Sequence, residues 1–306
     1  MKAKLQKLIQ LAPCRLRENV LLAPHTTFRV GGPADILAEP QSETELLTLL
    51  RSARDLEIPY FYMGLGSNIL VSDAGIRGMV IRAHGQLAEI RGEGDIVSAG
   101  PAARLLLLTT FAAQHSFTGL EPLSGIPGSV GGGLIMNAGA YGGEISDSLL
   151  DVRVITPSLD IATYLKSDIS FGYRSAPELQ NMIVLTSRYQ LKTAEQSGIY
   201  SEMRRVWGLR RQKQPIEFPS AGSIFKRPPG DYAGRLIEAV GCKGLRIGGA
   251  MVSARHAGIF INDRAGTAIE IAELIRTVRR RVHSTFNVTL ENEILPVGFD
   301  ADPFAL

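Results

Sequence analysis

At 306 residues, with 45% hydrophobic and 21% charged residues, the chain has the composition of ordinary globular protein and exceeds what one core usually serves, so two or three domains are expected. A formal net charge of only +3 excludes a general polyanion-binding surface and with it nucleic acid, although a pI of about 8.9 suits an anionic small ligand. The two cysteines, Cys14 and Cys242, make no disulfide framework, and no Cys/His spacing points to a metal, which suits a reducing compartment.

In the N-terminal segment Gln6, Lys7 and Gln10 interrupt the apolar residues, so it lacks the continuous apolar stretch of a signal peptide. No uncharged apolar run is long enough to span a bilayer, and a cytoplasmic protein without membrane contact is expected. Ser42-Glu43-Thr44-Glu45 has the form of a capping box, and Leu46, Leu49, Leu50, Ala53 and Leu56 recur at helical spacing up to Pro59, predicting a helix over about 43–57. Tyr60 to Met63 reads as a strand entering the glycine turn Gly64-Leu65-Gly66-Ser67-Asn68, and Gly78 to Arg82 as another strand after a turn-rich stretch.

Ala102 to Gln114 is apolar without Gly or Pro and predicts a buried helix. Directly after it, Ser124 to Gly143 reads SGIPGSVGGGLIMNAGAYGG, a density of glycine that lets backbone N–H groups approach a ligand closely. No Gly-Lys-Ser/Thr follows, which excludes a P-loop, and G-x-G-x-x-G is absent both here and at Gly64 to Ile69. Flexible glycine loops are usually polar, whereas this one interleaves Ile126, Val130, Leu134, Ile135 and Met136, so a buried, ligand-wrapping loop is expected.

Short β-type runs follow at Val152 to Ile155 and Ile183 to Leu191. A basic helix is expected over Ser201 to Gln214, ended by Pro215, with a domain boundary near 195–205. A short helix near Asp231 to Val240 and a long one opened by the capping box Thr267-Ala268-Ile269-Glu270 complete the series. The long helix should bury Ile271, Ile275, Val278, Val282 and Phe286, leaving Arg276, Arg279, Arg280 and Arg281 as a solvated face.

The five histidines form no H-E-x-x-H, and no G-x-S-x-G is present, so zinc and serine-hydrolase chemistry have no basis. Three polar sites remain. Ser223, after Gly222 in an apolar run, either presents a hydroxyl to a cleft or hydrogen-bonds its own turn. Arg174, beside Tyr173, suits bidentate carboxylate or phosphate binding, or a surface ion pair. In Val288 to Pro296, strand alternation places Glu291 and Glu293 on one face, where they either raise each other's pKa or form the solvent face of an edge strand.

Taken in order, Thr26 to Ala34, Gly66 to Val71, Leu123 to Glu144, Tyr173-Arg174, Ala221 to Lys226, Arg246 to Ala250 and Leu290 to Glu293 resemble the UDP-N-acetylenolpyruvoylglucosamine reductase (MurB) family, over nearly the whole chain and in the family's order. The resemblance implies an α+β protein with an FAD-binding region of the vanillyl-alcohol oxidase type over 1–200 (subdomains roughly 1–85 and 86–200) and an α+β substrate domain over 201–306.

It further implies that FAD lies against Gly64, Leu65, Gly66, Ser67, Asn68, Ser124, Gly125, Ile126, Pro127, Gly128, Val130, Gly131 and Gly132. Asn137, Ala138, Gly139, Gly143 and Ile145 would line the cofactor further along. NADPH is the implied electron donor, and the enolpyruvyl ether of UDP-N-acetylglucosamine the hydride acceptor in peptidoglycan synthesis.

By family position Arg174 and Glu293 stabilise the developing enolate and Ser223 returns a proton, while Tyr173, Lys213, Gly222 and Lys226 contact substrate. No protein partner is implied. Lys226-Arg227-Pro228 stands where the family often has Lys-Asn-Pro, and the short interval between Arg174 and Ser223 resembles the family's second, shorter type. Two rival readings are a flavin oxidase or dehydrogenase acting on a small alcohol or sugar, and a nucleotide- or flavin-binding regulatory module without turnover.

Overall fold

The computed structural model describes residues 2–306, which pack as two compact units. The first comprises 2–18, 36–65 and 78–209, and the second 19–35, 66–77 and 210–306. The helices are α1 (Lys2–Leu11), α2 (Glu43–Asp55), α3 (Leu105–Gln114), α4 (Val130–Ile135), α5 (Gln196–Lys213), α6 (Ala233–Ala239) and α7 (Ala268–Phe286). With the interspersed strands they give the α+β class that the sequence predicts. Helix α5 runs through the position near 200 where a boundary is expected, and contact packing divides the chain at 209/210.

A four-stranded sheet has the order Arg15–Leu21, Pro33–Glu39, Ile76–Ile81, Tyr60–Tyr62, the last two strands pairing in parallel. The apolar stripe of α2, Leu46, Leu49, Leu50 and Ala53, is fully buried in a core with Leu8, Ile36 and Met79. Ser42 caps α2 by accepting from the Glu45 N–H, but the Glu45 carboxylate accepts from the N–H of Gln41 rather than from Ser42. A second, five-stranded antiparallel sheet has the order Ile161–Leu165, Leu149–Ile155, Ile183–Gln190, Ile96–Ala99, Ile90–Glu93. Against it pack α3 and α4, with Leu105, Leu108, Val130, Leu134 and Tyr189 in one core.

In the second unit, Arg246–Ile247, Ala250–Val252 and Phe260–Asn262 form an antiparallel sheet, and Ile69–Val71 pairs in parallel with Leu295–Val297. Helix α7 forms as its capping box predicts: Thr267 accepts from the Glu270 N–H, and the Glu270 carboxylate accepts from the Thr267 N–H. The Asp73 carboxylate adds two more acceptors, for the N–H groups of Ala268 at 2.8 Å and Ile269 at 3.0 Å.

Two expectations for α7 are corrected. Phe286 lies 36% exposed at the last turn, just before the chain leaves the helix at Asn287 in a left-handed conformation. Arg276 and Arg279 are not a solvated face. They donate to the backbone carbonyls of Pro303, Phe304 and Leu290 and so fasten the C-terminal segment to the helix.

Candidate active site

The first unit carries the glycine-rich segment and Arg174. Gly64 follows the strand Tyr60–Tyr62, and a Cβ built there would stand 2.3 Å from Ser129 Oγ, so any side chain at this position requires the Ser129 hydroxyl or the turn to shift. Ser129 is the N-cap of α4 and accepts from the Gly132 N–H. The N–H groups of Ser124, Ile126, Val130 and Gly131 donate to carbonyls of Glu121, Leu123, Ala103 and Pro101. Those of Leu65, Gly125 and Gly128 have no acceptor among the described residues. Pro127 has no N–H, and Ile145 is fully buried in the core.

Asn137 is fully buried in a left-handed conformation, φ +40°, between α4 and a short hairpin of Gly139–Ala140 with Gly143–Glu144. The Ala138 N–H donates back to the Gly133 carbonyl and closes the turn. The Asn137 amide donates to Glu144 Oε2 at 2.6 Å and to the Gly172 carbonyl at 3.0 Å. Gly172 and Ser175 exchange both backbone hydrogen bonds, so Tyr173 and Arg174 occupy the tip of a tight turn with Arg174 at φ +54°. The Arg174 guanidinium lies 5.2 Å from the Tyr173 ring centroid. The glycine segment and the arginine, 37 positions apart, are thus joined through one asparagine.

Beside the Gly64 turn lies a cavity of about 240 Å³ within the same unit. Tyr62, Arg82 and His84, which sequence reasoning did not single out, line it together with Gly64, Leu65 and Ser129. The Tyr62 hydroxyl, His84 Nδ1, Ser124 Oγ and Asn137 Oδ1 are buried polar atoms without a protein partner. Buried polar atoms of a native protein are normally paired, so a set of them around glycine turns marks a ligand's place. A cofactor rich in acceptors and hydroxyls fits this set.

The second unit carries Gly66, Ser67, Asn68, Ser223 and Glu293. Gly66 adopts φ +64°, and its carbonyl accepts from the Thr27 N–H. The Asn68 amide donates to the Glu293 carbonyl at 3.1 Å, and the Leu295 N–H donates to Asn68 O at 3.0 Å. The segment 224–226 pairs with 291–293: the Glu293 N–H donates to Ile224 O at 2.8 Å and the Lys226 N–H to Glu291 O at 2.9 Å. Ser223, half-buried, bridges to Ile259 and therefore stands one residue from the Ile224–Glu293 link. Gly222, at φ +72°, sets the turn before it.

The reading of Glu291 and Glu293 as paired carboxylates is corrected. Only Leu295–Val297 is a regular strand, and the irregular backbone before it buries Glu293 while leaving Glu291 exposed. Glu291 takes Lys226 as its counter-ion at 2.5 Å. Asn292 Oδ1 is buried without a partner between them in sequence. Lys213 is exposed at the end of α5. Among the described residues no cluster of potential metal ligands is found, and no helix is long and apolar enough to cross a membrane.

Residues 34–161 match the family profile of an FAD binding domain, so the fold and its glycine turns define a flavoprotein. Residues 214–297 match the profile described as UDP-N-acetylenolpyruvoylglucosamine reductase, C-terminal domain. The chain is 41% identical over 289 residues to UDP-N-acetylenolpyruvoylglucosamine reductase of Syntrophomonas wolfei, covering 94% of this chain and 97% of that protein. To the reductase of Streptococcus pyogenes serotype M12 it is 45% identical over 284 residues, covering 92% and 96%.

Among solved structures, UDP-N-acetylenolpyruvylglucosamine reductase (MurB) from Thermus caldophilus superposes with a TM-score of 0.81 at 37% identity, covering 93% of this chain and 99% of that one. The chain belongs to the UDP-N-acetylenolpyruvoylglucosamine reductase family and is an FAD-dependent oxidoreductase.

Proposed function

We propose that the protein reduces the enolpyruvyl ether of UDP-N-acetylglucosamine to UDP-N-acetylmuramate in the cytoplasm, with Arg174, Ser223 and Glu293 as its catalytic groups. FAD supplies the hydride, which it takes from NADPH. The FAD-binding region is assigned to 1–200 and the substrate domain to 201–306. Gly64 to Asn68 and Ser124 to Gly132 hold the pyrophosphate, and Asn137 to Ile145 lie further along the cofactor.

The protein's own groups manage charge and protons. After hydride adds to the terminal carbon, negative charge spreads over the adjacent carbon and its carboxylate. Arg174 stabilises it by charge-assisted hydrogen bonds, and Glu293 by donating its carboxyl proton in a hydrogen bond. Ser223 gives its hydroxyl proton to the second carbon, a transfer that a strongly basic enolate permits. Tyr173, Gly222, Lys226 and Lys213 position the substrate, Lys213 at its diphosphate.

One observation carries this reading. The backbone pairing of 224–226 with 291–293 sets the candidate carboxyl donor opposite the residue that follows the candidate proton donor, although 70 positions separate the two. An alcohol oxidase or a non-catalytic flavin module has no use for that arrangement. The test is to bleach the purified flavoprotein anaerobically with NADPH and add enolpyruvyl-UDP-N-acetylglucosamine. Return of the flavin colour supports the reading, and continued bleaching sinks it.

A further inference from the structure

The five-stranded sheet of the first unit ends in two edges of opposite chemistry. At one edge, Ile90–Glu93 is interrupted by Gly92 and carries the exposed charges Arg91 and Glu93, which keep a sheet end from pairing with another chain. The other edge, Ile161–Leu165, reads Ile-Ala-Thr-Tyr-Leu, without a charge, a proline or a glycine. Ile161 is 42% exposed and Leu165 53%. Such an edge is a template for a further strand.

The hairpin fixes which backbone groups face outward. The Thr156 N–H donates to the Asp160 carbonyl at 2.9 Å, so these two residues form a hydrogen-bonded pair, and in an antiparallel ladder such pairs alternate. Ala162 and Tyr164 therefore bond inward to their register partners Val154 and Val152, and Ile161, Thr163 and Leu165 turn their N–H and C=O groups away from the sheet. The Leu165 N–H accordingly meets the Asp168 carboxylate, at 2.8 Å, rather than a strand. Side chains alternate as well. Ala162 and Tyr164 pack against the core beneath α3 and α4, and Ile161, Thr163 and Leu165 lie exposed on the other face.

Read backwards, this edge is its own complement. Antiparallel pairing about a two-fold axis at Thr163 sets Thr163 against Thr163 of a second copy, Ala162 against Tyr164 and Ile161 against Leu165. One step beyond, it sets Asp160 of each copy against Lys166 of the other. Both charges are exposed, so each end of the pairing closes with an ion pair. An axis at Ile161 or at Leu165 loses the apolar match and the charge match together. The N–H groups of Ile161 and Thr163 can pair with Asp168 in place, and that of Leu165 joins them once the carboxylate turns aside.

We propose that Ile161–Leu165 is a homodimer interface, on which a second copy of this chain adds the same strand antiparallel about Thr163 and joins the two five-stranded sheets into one. The interface is small and uses no residue of the proposed catalytic machinery, so its dimer is weak and reversible.

The test is sedimentation velocity of the flavin-loaded protein over roughly 1–1,000 µM, the range of weak association. The wild type is expected to rise from the mass of one chain, 33.1 kDa of polypeptide, toward twice that. Thr163→Lys, which sets two like charges against each other at the axis, is expected to stay a monomer throughout, its flavin-to-protein ratio and thermal midpoint reporting that it is folded. Asp160→Lys and Lys166→Asp should each weaken association about tenfold, and the double variant, with opposite charges restored, should return to within about threefold of wild type. A wild type that remains a monomer over the whole range overturns the proposal and leaves the edge to a strand of another protein. Association that survives Thr163→Lys, or that ignores both single charge reversals, overturns it too, because the contact then lies elsewhere on the surface.

Discussion

The side-chain amide of Asn68 donates to the backbone carbonyl of Glu293, 225 positions further along the chain. Asn68 closes the first glycine turn, and Glu293 is the proposed carboxyl donor, so one hydrogen bond ties the proposed cofactor turn to the proposed catalytic segment within the second unit. Replacing Asn68 by Ala is expected to cost about 1 kcal/mol of stability. It should slow substrate-dependent flavin reoxidation about tenfold while NADPH-dependent reduction stays near the wild-type rate. Stopped-flow absorbance of the two half-reactions, measured separately, checks this.

In the proposed reaction Ser223 and Glu293 act only after hydride has left the flavin. Ser223→Ala should therefore be reduced by NADPH normally yet reoxidise with the enolpyruvyl substrate at least a hundredfold more slowly, in the range that a lost general acid costs. Glu293→Gln should slow the same step and keep FAD bound. Loss of flavin from Glu293→Gln on gel filtration would mark that residue as structural instead.

Gly64 and Ser129 meet where a Cβ would stand 2.3 Å from the Ser129 hydroxyl. Gly64→Ala must displace Ser129 from the start of α4 or shift the turn, at an expected cost of about 1–3 kcal/mol. The flavin-to-protein absorbance ratio after purification should drop, and the thermal midpoint of the apoprotein should fall with it. Gly64→Ala combined with Ser129→Gly should recover part of the midpoint, because the clashing hydroxyl is gone.

Glu270 accepts from the N–H groups of Thr267 and Gly249, and those hydrogen bonds hold its carboxyl below the usual 4.5. A carboxyl depressed in the folded state contributes stability that is present above pH 4.5 and is lost as the pH falls below it. Glu270→Gln should be less stable than wild type by about 1 kcal/mol at neutral pH, the value typical of a lost cap. The difference should shrink between pH 5 and pH 3, as read from urea midpoints.

Much of this was legible in the sequence wherever a local rule is strong. The caps Ser42 and Thr267 and the stripes behind them place α2 and α7 nearly to the residue, because capping and helical period act within a few positions. The ordered motifs single out Arg174, Ser223 and Glu293 as candidates.

What escaped depends on distant packing. The Glu291/Glu293 pairing failed because strand alternation presumes regular backbone, and that stretch is held by one isolated bridge, Phe225 to Asn292, and by backbone hydrogen bonds to Ile224 and Lys226 instead. Tyr62 and His84 carry no local signal at all, since only the folded sheet reveals that their polar atoms lack partners. Ser129 alone had a readable sign: it precedes a run of Val and Gly as an N-cap does.

The second unit borrows Phe28, Val30 and Leu70 for its core, and Asp73 for the first turn of α7. A gene fragment beginning at 201 therefore encodes neither the hydrophobic residues nor the carboxylate that its longest helix requires. On the ribosome the two early segments must wait, unsatisfied, until the last hundred or so residues emerge. The enzyme is thus a poor subject for dissection into halves, and an inhibitor that trapped those waiting segments would act on its maturation rather than on its chemistry.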